Sequence, residues 1–484
     1  MSAPTMRSHS GPGRAWFAAA SDARSGLLTL DGEAGPLVAD DARDLPRAPL
    51  ARAASLWRTI DFARNETDLM FADAARLGDV VAYDLVGGPG AIVTISDPGH
   101  IRSIVTAAPE IAPSATRHSL LRPIVGGDSV LTTLGEQHRR QRARLMPAFH
   151  RSAVADCRGH IERACGERID RWRPGSEVAV AGIAEEITLD VITRVAFGLT
   201  DDASSTPAER ALRVAVRRSM RFSTTRIGVA AQLRNARREE ATGILALGLA
   251  PLDRAVHRLI AERRSLDDSG HGDTDRDDVL SVLLTARTPD GARLSDSEIR
   301  DELVGLLLAG HETTAHTTAW VFERLTRHPR MLADARDAAR AGERDVVDAV
   351  ITETMRCRPV VPSIAREVLR PWKFGRFRVD AGTVVIASTI LLHHRDDLYP
   401  QPFAFRPERF LGTRPSPHAF LPFGGGNRRC LGAHLAMAEL DIIVTEVLRR
   451  VDLEATDRAP ERPRHRNVTM IPADGGRVRA RAVH

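Results

Sequence analysis

The segment from Ser295 to Arg327 does most to limit the folds open to this chain. Ser295-Asp-Ser-Glu298 is a capping box, in which a serine hydroxyl and a glutamate three residues on satisfy each other's backbone N–H groups, and His328-Pro329 closes the far end. Between them the signals predict a helix of about 30 residues, roughly 45 Å long at helical rise. Its middle, Leu303-Val-Gly-Leu-Leu-Leu-Ala309, is apolar all round and has to be covered on every side. The rest of the fold must wrap around it. Directly after that run stands Ala309-Gly310-His311-Glu312-Thr313-Thr314, a polar cluster inside a buried helix. Burying such groups costs free energy unless they are paired, so the cluster points to chemistry. Threonines bonding back to carbonyls would kink a helix there, but they leave the glutamate unexplained. The run His311-Glu-Thr-Thr-Ala-His316 is close to the zinc motif H-E-x-x-H, but its second histidine falls at i+5. That places the imidazoles about 140° apart around the helix, where they cannot share one metal. His311 is expected to be packed or hydrogen-bonded.

Near the C-terminus the chain reads Phe423-Gly-Gly-Gly426-Asn-Arg428-Arg-Cys430-Leu-Gly432. A cysteine leaving a glycine-rich loop to open a helix has the helix's positive end and free N–H groups aimed at its sulfur, which favours a thiolate. Thiolate is the haem ligand that pushes electron density onto iron and favours O–O cleavage. The three glycines allow backbone conformations closed to other residues, so peptide N–H groups can crowd round the sulfur. Phe423 is expected to shield it from water.

The spacing F-x-x-G-x-R-x-C-x-G resembles the haem-binding signature of the cytochrome P450 family at every fixed position, and the likeness runs from about Leu45 to the C-terminus. The resemblance implies a mainly α (α+β) fold, a large helical domain around haem b with small β-sheets, and Cys430 as the axial ligand of the haem iron. It implies that Gly310 lets the long helix open beside the haem, and that Glu312 and Thr313 form an acid and alcohol pair relaying protons to dioxygen. Glu353 and Arg356, at i and i+3, with Arg409 of Phe405-Arg-Pro407-Glu-Arg409-Phe410, would form a buried triad that locks the cysteine loop. That role is structural and suits a bidentate arginine. The propionates would be met by His138 and Arg142, one turn apart with histidine at the family's tryptophan position, and by Arg366 and Arg428. Phe423, Gly426 and Gly432 complete the cofactor contacts. By location, Ser119 to Val125, Ala309, Val360, Val361, Ser363, Ile364 and Thr469 would line a pocket for an apolar substrate, lipid-like, terpenoid or polyketide.

Composition narrows the partners. The net charge of +5 comes from 68 basic against 63 acidic residues spread throughout, and aromatics make up 4%. A solvated surface follows, without the interleaved stacking residues that single-stranded nucleic acid needs. Lys373 is the only lysine among the basic residues, a compositional bias rather than a binding code. Cys157, Cys165, Cys357 and Cys430 show no framework spacing, so a reducing compartment fits and a cytoplasmic location is expected. Residues 1 to 50 contain no apolar run long enough to span a bilayer, which excludes an anchor or signal peptide there.

Residues 1–45, rich in Gly, Ser, Ala and Asp, read as a flexible extension before a catalytic domain over 46–484. Val80–Leu85 and Ala91–Ile95, around Gly87-Gly-Pro-Gly90, predict a hairpin; Val384–Ser388 predicts a strand, and Asp267–Asp278 a surface loop. Residues 200–260 should roof the pocket, although they carry no substrate signature. The expected activity is insertion of one oxygen atom from O2 into a C–H or double bond, by a monomer. Electrons would come from NAD(P)H through a separate donor such as ferredoxin and its reductase, since too little chain follows Cys430 for a fused flavin domain. Two alternatives stand beside it. A peroxide-using or isomerising haem-thiolate enzyme would not need the acid and alcohol pair, and a non-catalytic haem gas sensor would want a regulatory module that the sequence does not show.

Overall fold

The long helix forms where its capping signals place it. In the computed structural model, which describes residues 34–37, 45–52, 56–84, 91–116, 119–199, 205–236, 238–269 and 276–484, it spans Asp296–Thr326 with both bonds of the capping box made at Ser295 and Glu298. It runs unbroken through Gly310. A Cβ there would lie 2.8 Å from Cγ1 and Cδ1 of Ile192, so the missing side chain serves the close crossing of the helix Val180–Phe197. The expectation that Gly310 lets the helix open is corrected on this point: the glycine sets interhelical distance.

Helices carry 55% of the chain, so the mainly α reading holds. The main core joins apolar stripes of the helices Arg158–Ile169, Val180–Phe197, Ile244–Asp268, Asp296–Thr326, Arg344–Cys357 and Ala433–Arg450, with Val191, Leu303, Phe322, Ile351 and Val444 fully buried. The long helix is covered along residues 303–307, as its apolar middle demanded, while Ala309 at the end of that run is exposed.

A five-stranded sheet forms a second layer, in the order Leu50–Arg52, Val80–Asp84, Ala91–Ile95, Val384–Ser388, Ser363–Glu367. The predicted hairpin pairs antiparallel with Val80 opposite Ile95 and Asp84 opposite Ala91; its turn and Leu85 lie outside the described residues. Val384–Ser388 pairs parallel to Ala91–Ile95 and antiparallel to Ser363–Glu367, which carries Arg366. Ile95, Val385, Ile101 and Ile104 bury the sheet against the helix Pro98–Val105. Val451–Ala455, Arg477–Val483 and Glu177–Ala179 make a smaller sheet, and Pro463–Arg466 pairs with Thr469–Pro472 as a hairpin.

Two segments depart from the sequence reading. Ala34–Pro36, inside the stretch read as an extension, pairs antiparallel with Trp372–Phe374; residues 1–33 and 38–44 lie outside the described residues. The acidic segment begins inside a helix, since Ile244–Asp268 includes its first residues, and ends where Asp278 caps Val279–Thr285. Among the described residues no helix is long and apolar enough to cross a membrane.

Candidate active site

Cys430 N–H donates to Phe423 O at 2.8 Å and closes the cysteine loop. Gly424 and Gly426 take φ values of 67° and 63°, which cost glycine alone little. At Gly426 a Cβ would sit 2.0 Å from Val105 O, so only glycine lets the loop seat on the helix Pro98–Val105. Gly432 differs: φ is −85°, and the nearest atom to a Cβ would be in Phe149, at 3.8 Å. Its contribution is an N–H on the Cys430 thiol. The helix begins at Ala433, just beyond the cysteine. Cys430 is solvent-accessible, yet protein crowded around its sulfur pushes the thiol up from its ordinary value, against the pull of the Gly432 N–H and the charges of Arg142 and Arg429. A metal ion at the sulfur would remove that proton outright.

Beside the cysteine stand four cationic or ionisable groups with nothing acidic between them. His138 is buried and Arg142 half-buried on the helix Gly135–Leu145; Arg366 is buried, and Arg428 half-buried. Burial pushes His138 down to about 4, helped by Arg428, Arg142 and Arg366. It takes Arg366 to about 10, and Arg428 to about 10 with added repulsion from Arg366 and Arg142. Among the described residues no carboxylate acts on any of the four. Arg428 donates Nη1–H to Val130 O at 2.9 Å and Nη2–H to Thr133 O, while Nη2 of Arg366 is buried without a partner. Such a cluster is stable only against an anion.

The polar cluster of the long helix faces two ways. Thr313 Oγ1 donates to Ala309 O at 2.9 Å, and Ala309 is the one exposed residue between Leu303 and Thr313. That face opens on free space. Glu312 turns toward the Pro463–Arg466 hairpin, where its Oε1 accepts from Arg466 Nε at 2.7 Å and from Thr469 Oγ1 at 2.9 Å. Burial alone would raise the Glu312 carboxyl; Arg466, His316 and Thr469 more than reverse this and hold it below its usual value. Arg466 Nη2 lies 3.5 Å from Glu185 and 3.3 Å from His316 Nε2. Arg466, His316 and Glu185 were missed in the sequence, and Thr469, assigned there to the substrate pocket, spends its hydroxyl on Glu312. His311 is buried and pushed down to about 4 by desolvation.

Glu353, Arg356 and Arg409 come together. Arg356, fully buried, meets Glu353 in a fork, Nε to Oε2 at 2.7 Å and Nη2 to Oε1 at 2.8 Å. Its Nη1 donates to His393 O and Pro402 O, and Arg409 Nε donates to Glu353 at 3.3 Å. His393 carries the link onward. Its Nδ1 lies 3.1 Å from Arg356 O and its Nε2 accepts the Leu421 N–H at 2.9 Å, so a neutral histidine ties the triad to the run leading into Cys430.

A narrow cleft lies over the long helix, lined among others by Ile124, Met220, Phe222, Leu245, Leu249 and Leu308. Most of these come from residues 200–260, the expected roof. Of the sequence-assigned pocket residues only Ile124 reaches it. Val360, Val361, Ser363 and Ile364 lie elsewhere, at and just before the strand Ser363–Glu367.

The model of the cytochrome P450 family matches residues 64–479. The chain belongs to the cytochrome P450 family. It is 35% identical over 448 residues to the Mycobacterium tuberculosis protein carried under the name cytochrome P450 135B1, covering 90% of this chain and 92% of that one. It is 37% identical over 398 residues to cytochrome P450 137 of the same species, covering 81% of each. The fold is similar to that of retinoic acid bound cyanobacterial CYP120A1, with a TM-score of 0.72 and 23% identity over 91% of this chain and all of that one. The enzyme is thus a P450 monooxygenase with haem b as its cofactor. The residues present fit that group: an accessible cysteine thiol, and beside it a cationic cluster, with one orphaned guanidinium nitrogen, for a dianionic edge.

Proposed function

We propose that this P450 inserts one oxygen atom from O2 into a C–H or double bond of an apolar organic substrate, using NAD(P)H electrons delivered by a ferredoxin and its reductase. The observation that carries the site assignment is the cationic cluster of His138, Arg142, Arg366 and Arg428, with no carboxylate among the described residues acting on it, next to the one exposed cysteine, in a glycine-bound loop. In this reading Cys430 binds the haem iron through Sγ, the cluster receives the propionates, and Gly426 and Gly432 seat the loop and supply the N–H at sulfur. When bound, the haem supplies the site at which dioxygen is activated.

The chain's own residues then do three things. Thr313 Oγ1, on the open face beside Ala309, holds a proton within one turn of helix from where substrate would lie. Glu312, kept ionised by Arg466 and Thr469, takes up a proton from solvent and, once protonated, passes it on toward Thr313, returning to the carboxylate. Glu353, Arg356 and Arg409 fix the loop without touching reactants. The apolar roof of Met220, Phe222, Leu245 and Leu249 supports a lipid-like or terpenoid substrate and excludes water. A single catalytic domain from residue 46, working as a cytoplasmic monomer, completes the proposal. The test is Cys430→Ala: wild type should show the long-wavelength Soret band of a thiolate-ligated reduced CO complex, and the variant should lack it. A variant keeping the band would remove Cys430 as ligand.

A further inference from the structure

The long helix carries two adjacent acids, Asp301 and Glu302, that the proposed chemistry does not use. Both are buried. Each accepts one backbone N–H from the segment between the helices Arg122–Val125 and Gly135–Leu145: Asp128 N to Asp301 Oδ2 at 3.0 Å, and Val130 N to Glu302 Oε2 at 2.9 Å. The same segment holds Arg428 from its other side, through Val130 O and Thr133 O. Val130 is therefore a single residue with a helix carboxyl on its N–H and a cofactor-facing arginine on its carbonyl.

The segment is fitted to this place. At Gly126, φ +87°, a Cβ would fall 1.9 Å from Asp301 Oδ2, and at Gly305 one would fall 2.3 Å from Ser129 Oγ. Arg300 Nη1 donates to Asp301 Oδ1 at 2.9 Å and steadies that acid. On the far side Thr133 Oγ1 bonds Gln141 Oε1, and Gln141 Nε2 bonds Asp128 O, both at 2.5 Å. Gln141 sits between His138 and Arg142 on their helix, so three of the four cluster residues depend on the position of this segment. Burial pushes the Glu302 carboxyl up to about 8, so near neutrality it is mostly an uncharged acceptor that glutamine can imitate.

We propose that Asp301 and Glu302 are positioning residues for the anionic edge of the cofactor, acting through residues 126–133 on Arg428. The inference rests on the reading that Arg428 faces a propionate. Glu302→Leu leaves the Val130 N–H without an acceptor in a buried place, and Glu302→Gln keeps one. In the apoprotein, the Val130 amide should exchange its hydrogen faster in Glu302→Leu and at the wild-type rate in Glu302→Gln. In the holoenzyme, transfer of haem to a competing apoglobin should be about ten-fold faster in Glu302→Leu, the factor one buried hydrogen bond represents, and close to wild type in Glu302→Gln. In an Arg428→Leu background the same Glu302→Leu change should add less than about two-fold, because both substitutions break one chain of contacts. If Glu302→Leu does not fold, Glu302→Asp, which draws the acceptor back by one methylene, carries the same expectations. Wild-type haem transfer in the variant, or an undiminished effect without Arg428, overturns the proposal. A wild-type protein that takes up no haem overturns the cofactor reading instead, and the Val130 amide still decides whether the clamp exists.

Discussion

Glu312 and Thr313 are neighbours in sequence but not partners in space, and their separate surroundings assign them separate tests. Thr313 has only its own helix carbonyl to bond, so Thr313→Ala should leave folding and haem uptake intact while more reducing equivalents end as hydrogen peroxide. The ratio of peroxide to product per NAD(P)H measures this, and unchanged coupling would make the hydroxyl architectural. Glu312 is kept charged by Arg466. In Arg466→Met the burial of Glu312 loses its largest opposing charge and only His316 and Thr469 still act against it, so its carboxyl rises and the acidic limb of the pH–rate profile moves to higher pH. The same change strands a buried acid and should lower stability by about 3–5 kcal/mol. An unmoved profile in a folded variant would detach Glu312 from turnover. The pair itself was legible, because the polar break in an apolar helix is local. Arg466 was not: it lies 154 residues further on, in a hairpin whose sequence, Pro463-Arg-His-Arg466, carries no pattern that points back to the helix.

Among the elements, the cysteine loop shows what a motif hides. Its fixed glycines look equivalent in sequence, but φ +63° and the carbonyl of Val105 make Gly426 irreplaceable, while Gly432 has ordinary φ and a Cβ there would make only an ordinary contact with Phe149. Gly426→Ala should lose haem content and shift melting down by several degrees, since left-handed backbone alone costs about 1–2 kcal/mol before the clash. Gly432→Ala should keep both. Equal behaviour of the two variants would contradict the seating of this loop on Pro98–Val105. The triad was readable for the opposite reason: Glu353 and Arg356 share one helix turn, and Pro407–Phe410 supplies Arg409 within a compact motif. Arg409→Ala should cost less than Arg356→Ala, because Arg409 makes one longer bond to Glu353 and two exposed carbonyl contacts, to Pro400 O and Gln401 O, whereas Arg356 makes the buried fork and three carbonyl contacts. Thermal melting of the two variants, ranked the other way, would contradict this. His393, the link from this triad to the cysteine loop, has no local signature, since its role exists only once residues 356 and 421 are brought to either side of it.

For the molecule as a whole, buried ionisable groups set the pH at which it is most stable. Burial lowers seven of the described histidines, His100 and His434 among them, and five of them far: His138, His311 and His316 to about 4, His393 and His394 to about 3. In the unfolded chain they would titrate near 6.5. Below that value the unfolded state binds protons that the folded state refuses, so stability falls as pH drops from about 6.5 toward 4. Buried carboxyls act in the other direction. Glu302 is raised to about 8 and Glu439, bonded to Thr314 between the long helix and the cysteine helix, well above its ordinary value. From pH 8 down to about 4.5 the folded state holds their protons and the unfolded state does not, so acidification stabilises. Above pH 7 the histidines are silent in both states and the two acids prevail; below about 6.5 five histidines outweigh two carboxyls. Stability should therefore pass through a maximum close to pH 6.5–7, with protons taken up on unfolding below it and released above it. Denaturant midpoints recorded from pH 5 to 8.5 measure this, and Glu302→Gln should flatten the alkaline side and steepen the acidic side below about pH 6.5. A midpoint that rose steadily across the range would mean that the histidines are not buried together in the folded enzyme.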